Sequence, residues 1–158
     1  MKSSQPIRAL TMVSVIMLGA TACTPFTKIQ GDDKAEAKMN GSWSVMYVGK
    51  NKLEGVEPLP TIVFDTANNS ISGFDGCNNF KGTYTFDNGY LKASVAGTRM
   101  ACRSDAARNA SGQVANLFEN GAEVVEVSIA RGYGLVMRNG SAELSLGPTD
   151  VLTKNLEK

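Results

Sequence analysis

The sequence predicts an α+β, mostly β domain, namely a small antiparallel β-barrel-like fold of about eight strands with one amphipathic helix. The 158 residues suffice for one compact domain and are too few for two comfortable ones. From Gly41 onward, short runs of alternating apolar and polar residues are separated by Asn, Asp and Gly, which is typical of strands and tight turns. A single helical stretch interrupts this pattern. One helix cannot cover both faces of an open sheet, so we expect it to plug or lid a barrel.

Eight alternating runs predict the strands. The first contains Trp43, Val45 and Tyr47, and the segment Asp87-Asn88-Gly89 is a strong hairpin signal between two later strands. The eight runs are centred on residues 43–47, 62–64, 71–74, 82–86, 90–95, 124–129, 135–137 and 144–146. Residues 53–60 (LEGVEPLP) are expected to form the main loop outside this pattern.

The predicted helix follows the fifth strand. The apolar residues that would share one helical face are Ala106, Ala110, Val114, Leu117 and Phe118. Ser104 and Asp105 are suitable for its N-terminus, and Gly121 is suitable for its end.

The N-terminus resembles a bacterial lipoprotein signal. Lys2 and Arg8 precede an uncharged run over residues 9–19, which is shorter than the roughly 20 residues that span a bilayer but fits an export signal. Small residues then lead into Cys23, as in a lipobox. We therefore expect residues 1–22 to be a lipoprotein signal peptide and Cys23 to be the lipid attachment site. An ordinary cleaved signal peptide is the alternative.

The anchor predicts where the domain lies. Two or three acyl chains, palmitate among them, would hold Cys23 on a membrane essentially permanently. Thr24, rather than Asp, follows the cysteine, so we expect an outer-membrane lipoprotein whose domain faces the periplasm. Residues 23–40 are expected to be the lipidated cysteine and a flexible tether, holding the domain about 20 to 25 Å from the bilayer. The folded domain is assigned to residues 41–158.

Composition excludes several functions. Lys plus Arg is 16 against 15 for Asp plus Glu, so no basic excess indicates nucleic-acid binding. The chain has no histidine, which excludes Ser/His/Asp relays and imidazole metal sites within it. Glu123 and Glu126 could imitate a glycosidase pair, but the single Trp43 gives little of the aromatic platform that a sugar cleft needs. We expect no enzyme, no catalytic residues, no metal site and no cofactor.

Cys77 and Cys102 predict a disulfide. With Cys23 lipidated, an even pair remains in an exported chain, and such pairs are normally oxidised. The bond would close a loop of 26 residues, 102 minus 77 plus 1, which stabilises a fold by about 3 to 4 kcal/mol in the chain-entropy model. A redox-active pair is the alternative, although such pairs usually have C-x-x-C spacing near a helix N-terminus.

Two motifs around these cysteines resemble a known family. Residues 73–84 fit G-x-x-G-C-N-x-F-x-G-x-Y, and residues 98–102 fit T-x-M-A-C. Both patterns, at this separation, are similar to those of the META (HslJ-like) domain family, and the resemblance extends from about Gly41 to Gly147. It implies a small β-barrel-like α+β domain, often carried by heat-inducible envelope lipoproteins, without a settled enzymatic activity.

The segment around the cysteines is also the candidate binding region. Its polar candidates are Asp75, Asn78, Asn79, Arg99 and Arg103. They would form either a recognition loop or a tight corner that satisfies its own hydrogen bonds.

Two function classes remain. The first is a non-catalytic envelope lipoprotein that binds or stabilises an envelope protein partner, with a role under stress. The second is a lipoprotein that binds a small apolar ligand in the barrel interior or the crevice between helix and barrel. A filled interior would favour the first class, and an open apolar cavity would favour the second.

The lipid anchor is directly testable. Cys23→Ser removes the thiol that would accept the diacylglyceryl group, so lipidation and membrane fractionation should both be lost while the domain still folds. Metabolic labelling with a fatty acid and cell fractionation measure the two effects. A serine variant that is exported and stays membrane-bound through its own N-terminus would contradict the assignment.

Overall fold

The computed structural model describes residues 26–28, 36–130 and 132–153. Ten strands and two helices follow one another in the described part of the chain. The strands are β1 (Phe26–Lys28), β2 (Gly41–Val48), β3 (Asn51–Lys52), β4 (Thr61–Asp65), β5 (Ser70–Phe74), β6 (Asn79–Asp87), β7 (Tyr90–Gly97), β8 (Ala122–Ile129), β9 (Gly132–Arg138) and β10 (Glu143–Pro148). The helices are α1 (Asp105–Asn120) and α2 (Thr149–Thr153).

Eight of these strands form a closed antiparallel barrel, which confirms the predicted fold class. Around the barrel the order is β8, β7, β6, β5, β4, β2, β10 and β9, and pairing of β9 with β8 closes the ring. Each of the eight contains one of the eight alternating runs of the sequence. The short strands β1 and β3 add to β8 and β2, respectively.

The barrel has two distinct ends because neighbouring strands run in opposite directions. The first, here called the helix end, carries the loop 53–60, the β5–β6 turn, α1 and the β9–β10 turn. The second, here called the turn end, carries the β4–β5, β6–β7 and β8–β9 connections and α2. Long insertions therefore collect at one end of the barrel.

Large apolar side chains fill the barrel interior. The largest of them that are fully buried are Phe64, Phe118, Met39, Ile62, Ile71, Leu91, Leu117, Leu135, Met137, Leu144, Val45 and Val124. Phe64 packs edge-on against Tyr84 at 5.6 Å between ring centroids. Those that belong to strands alternate with more exposed residues along most of their length, as the sequence pattern requires. The interior is a packed core.

Helix α1 lids the helix end, as expected. The Ser104 hydroxyl caps it by accepting a hydrogen bond from the backbone N–H of Ala107 at 3.1 Å, and Gly121 follows its last residue at a φ of 82°. Of the five residues predicted for its inner face, four are buried, and the fifth, Ala106, is half-buried beside Ala107. Neither helix of the described chain is long and apolar enough to cross a membrane.

The turn end is covered by residues that precede the predicted domain boundary. Met39 is completely buried, and its carbonyl oxygen accepts a hydrogen bond from Trp43 Nε1 at 2.7 Å. Strand β1 pairs with β8, placing Phe26 opposite Val127. The expected free tether over residues 23–40 is therefore wrong at these two places, because apolar contacts and strand pairing attach the segment to the barrel.

Tyr84 has a buried hydroxyl near the turn end. Its oxygen has no partner at hydrogen-bonding geometry within the described residues, although the Glu36 carboxylate lies close enough to act on it. Burial raises the pKa of Tyr84, and the negative charges of Glu36 and Asp65 raise it further. The phenol therefore stays protonated across the physiological pH range.

Two glycines test the packing of the fold. A Cβ on Gly82 would meet the Ser94 carbonyl oxygen and lie 2.7 Å from Val95 Cα, both in the backbone of β7, whereas a Cβ on Gly112 in α1 would have open space. Gly82→Ala should therefore lower the free energy of unfolding, by about 1 to 3 kcal/mol. Gly112→Ala should raise it by about 0.5 to 1 kcal/mol through helix propensity. Denaturant unfolding of both variants measures the difference, and equal stabilities would contradict the β6–β7 packing.

Candidate functional site

The candidate site is built around a disulfide at the helix end. Cys77 in the β5–β6 turn is bonded to Cys102, two residues before the helix cap, with 4.7 Å between their Cα atoms. The Cys77 side chain is buried with Val56 and Ala107 in a small satellite core. The predicted pairing is confirmed, and it fastens the start of α1 to the barrel.

Asp75 holds the same turn through hydrogen bonds. One carboxylate oxygen accepts from the backbone N–H groups of Cys77 and Asn78, both at 2.7 Å. The other accepts from the Ser111 hydroxyl in α1 at 2.9 Å. Because these bonds occupy both oxygens, Asp75 positions the turn and the helix relative to each other.

Asn78 performs a similar function toward the segment that follows β7. Its side-chain oxygen accepts from the backbone N–H of Met100 at 2.7 Å and from the Thr98 hydroxyl at 3.3 Å. The Thr98 oxygen in turn accepts from the backbone N–H of Asn79 at 3.2 Å. The interpretation as an internally bonded corner therefore describes Asp75 and Asn78 well.

A groove lies beside this corner and is here called the disulfide groove. Its volume is about 630 Å³. It is lined by the loop residues Gly55, Val56, Glu57 and Pro58, the corner residues Phe74, Gly76, Cys77 and Asn79, and Met100, Ala101, Arg103, Ser104 and Ala107 around the helix start. The Glu57–Pro58 peptide bond is cis. Apolar side chains predominate in the lining, and Asn79, Glu57 and Arg103 add polar groups.

The predicted polar cluster is thus divided by the structure. Asn79 and Arg103 line the groove and are exposed, so both are accessible to a ligand. Asp75 and Asn78 form the corner behind it, and Arg99 is exposed outside the groove lining. The structure does not gather the five residues into a single recognition loop.

Sequence reasoning missed the apolar part of the groove. Met100 is 57% exposed, the largest exposure among the large apolar side chains of the described chain, and Pro58 is also exposed. The available signal was the unusual run of Val56, Pro58 and Leu59 in a predicted loop, because connecting loops are generally polar.

Comparison with known proteins agrees with this architecture. The family model described as "META domain" matches residues 36–147, which is most of the chain. The chain belongs to the META domain family. Its match begins before Gly41, consistent with the burial of Met39 in the core of the META barrel.

Solved structures share the fold. One NMR structure is 22% identical with a TM-score of 0.60 and covers 73% of this chain and 96% of its own. An NMR structure of a protein from Burkholderia xenovorans is 20% identical with a TM-score of 0.56, covering 85% and 97%. No curated protein sequence is significantly similar to the chain.

The two glutamates considered as a catalytic pair lie on opposite faces of β8. Glu123 accepts hydrogen bonds from Arg138 Nε and Nη2, both at 3.1 Å, whereas Glu126 pairs with Lys38 at 2.7 Å. Within the described ranges, no three His, Cys, Asp or Glu side chains come together as a metal site.

The disulfide should carry a large share of the stability of the META barrel. Cys77→Ala removes the closed loop, so the free energy of unfolding should fall by about 3 to 4 kcal/mol and the melting temperature by roughly 10 °C or more. The double alanine variant should lose about as much as either single variant, since one change already removes the bond. Thermal unfolding with and without reductant measures this, and two reactive thiols in the unfolded, unreduced chain would contradict it.

Proposed function

We propose that this META barrel is a non-catalytic envelope lipoprotein that binds or stabilises an envelope protein partner through the disulfide groove, with a role under stress. The observation that carries the proposal is an apolar groove on a barrel whose interior is already filled. The chain is taken to be anchored through Cys23 in the outer membrane, facing the periplasm.

The composition of the groove suits a protein surface. Its floor is made by apolar side chains such as Val56 and Phe74, and the exposed Met100 adds a flexible, polarisable contact of the kind used at adaptable interfaces. Asn79 and Arg103 at the margin provide hydrogen-bond donors. An apolar centre with a polar margin is the usual anatomy of a protein interface.

The rigidity of the groove also supports binding. The disulfide, the Asp75 carboxylate and the Asn78 amide hold the β5–β6 turn, the segment after β7 and the start of α1 together before any partner arrives. A site that is already ordered loses little conformational entropy on association, so more of the contact energy is retained as affinity. A partner would therefore meet a surface that needs no folding step.

A small apolar ligand is the second candidate. Among the described residues, side chains fill the barrel interior, so we place such a ligand on the apolar lining of the disulfide groove. The two candidates predict different contents of the groove in the cell. A protein partner gives a discrete covalent adduct after crosslinking, whereas a small ligand is recovered by extraction from the purified protein.

In-cell photocrosslinking tests the proposal. A photoreactive amino acid in place of Met100 should give an adduct with a specific envelope protein, and the same group in place of Lys50, exposed on the same end of the barrel, should not. Filling the groove with Asn79→Trp should reduce the Met100 adduct severalfold while the melting temperature is kept. Equal adducts at both positions would contradict a partner-binding groove. An extractable apolar compound without any adduct would support the second candidate.

A further inference from the structure

Strand β1 brings the N-terminal part of the chain to the barrel wall. Phe26 lies opposite Val127 and Lys28 opposite Val125, in antiparallel pairing with β8. Since β8 runs toward the turn end, β1 runs away from it. The chain therefore enters β1 from the side of the turn end.

The length of chain before β1 limits where the proposed anchor can lie. Cys23 precedes Phe26 by three residues, and three fully extended residues span at most about 11 Å. Paired antiparallel residues have Cα atoms about 5 Å apart. An anchor at Cys23 can therefore attach no farther than roughly 16 Å from Val127. A free tether over residues 23–40 would impose no such limit.

The barrel wall beside β1 is apolar on its outside. Val124, Leu135 and Met137 belong to the core, so the alternate positions of β8 and β9 point outward. From the middle of the two strands to the turn end, these outward positions are occupied by Val125, Val127, Ile129, Gly132, Gly134 and Val136, here called the β8–β9 outer face. No residue of this face is charged or polar, and the ion pair between the outward-facing Glu123 and Arg138 lies beyond it, toward the helix end.

The part of this face nearest the turn end is accessible. Ile129 is 39% exposed and Val127 is half-buried, whereas Val125 and Val136 are buried. A Cβ on Gly134 would lie 3.4 Å from a methyl carbon of Val127 and of Ile129. Because the glycine has no side chain, these two side chains project beyond it on this face. The accessible apolar side chains of this face are therefore Val127 and Ile129, both at the turn end.

We infer that the turn-end part of the β8–β9 outer face, formed by Val127 and Ile129, rests on the lipid bilayer, at the boundary between headgroups and acyl chains. This inference rests on the lipid anchor of the proposed function. The anchor makes docking an intramolecular event, so a small contact through Val127 and Ile129 suffices at the high effective concentration that a short link gives. Cys23 precedes Phe26 by only three residues, so the acyl chains must enter the membrane close to this face. The bilayer is therefore the surface that we expect to contact it.

Docking in this way orients the disulfide groove. The eight residues of β8 extend about 26 Å from the helix end to the turn end. With the turn end at the bilayer, the groove at the helix end is directed away from the lipid. It is thereby presented to soluble or membrane-bound partners in the surrounding compartment.

Lipid quenching of a site-specific fluorophore tests the inference on the full acylated chain. In the mature protein the three natural cysteines are taken up by the lipid and the disulfide, so I129C and K50C each add one free thiol for an environment-sensitive dye. The proteins are reconstituted in phosphatidylethanolamine and phosphatidylglycerol vesicles with brominated acyl chains. The dye at position 129 should be strongly quenched, and the dye at position 50, at the helix end, should not.

Matched charge variants assign the contact to this face. V127D, combined with the dye at 129, should abolish the quenching while the protein still floats with the vesicles. S145D, on the outward side of neighbouring β10, should leave the quenching unchanged. Circular dichroism and thermal unfolding confirm that each variant is folded.

The possible outcomes are distinct. Flotation without quenching at position 129, or equal quenching at positions 129 and 50, overturns docking while leaving the anchor intact. Burial of the dye without quenching by brominated lipid indicates a second copy of the chain on this face and also overturns the inference. A protein that does not float refutes the anchor, and the docking inference falls with it.

Discussion

An eight-stranded barrel buries its interior only when both open ends are covered, and the rest of this structure depends on that constraint. At the helix end the cover is α1, whose Phe118 ring packs against Phe80 at 5.4 Å between centroids. At the turn end it is Met39, held by the Trp43 indole. Removing either cover would expose core side chains to water, at a cost that grows with the apolar area uncovered.

The lid is attached by more than apolar contact. A helix placed over a barrel opening gains little from backbone pairing, so its position must be fixed by its connections. The Cys77–Cys102 bond and the hydrogen bond that the Ser111 hydroxyl donates to the Asp75 carboxylate fix the first turns of α1. At the other end, the Asn139 amide donates to the carbonyl oxygen of Gly121 and to Asn116 of the helix. The disulfide groove forms because the Cys77–Cys102 bond joins the β5–β6 turn to the segment before α1, and Val56 of the loop 53–60 packs beside that bond.

The sequence was sufficient for the barrel strands and the helix because their signals are local. Alternation at period two and a face at period 3.6 survive whatever the tertiary context, and the caps of α1 at Ser104 and Gly121 are equally local. The missing elements lack such signals. Strand β1 has three residues and forms only through pairing with β8, and Met39 is in the core although its neighbours Lys38 and Asn40 are exposed.

The candidate site was partly predictable for the same reason. The disulfide was predicted by counting the cysteines. Of the polar residues predicted to bind near it, Asn79 and Arg103 do line the groove. The sequence could not distinguish them from Asp75 and Asn78, because a polar side chain that caps a turn and one that faces a groove belong to the same residue types. Only the acceptor geometry separates them, with Asp75 and Asn78 each engaged by two or more donors.

Strand alternation also explains why the ends of the barrel have become different. Because neighbouring strands are antiparallel, every second connection lies at the same end of the barrel. Long connections that alternate with short ones along the chain are therefore neighbours in space. The loop 53–60, the disulfide corner and α1 are therefore neighbours although they are far apart in sequence. The β4–β5, β6–β7 and β8–β9 connections of the other end stay short, and β1 enters the barrel there. The long connections of this chain thus share one end of the barrel, and the short turns share the other.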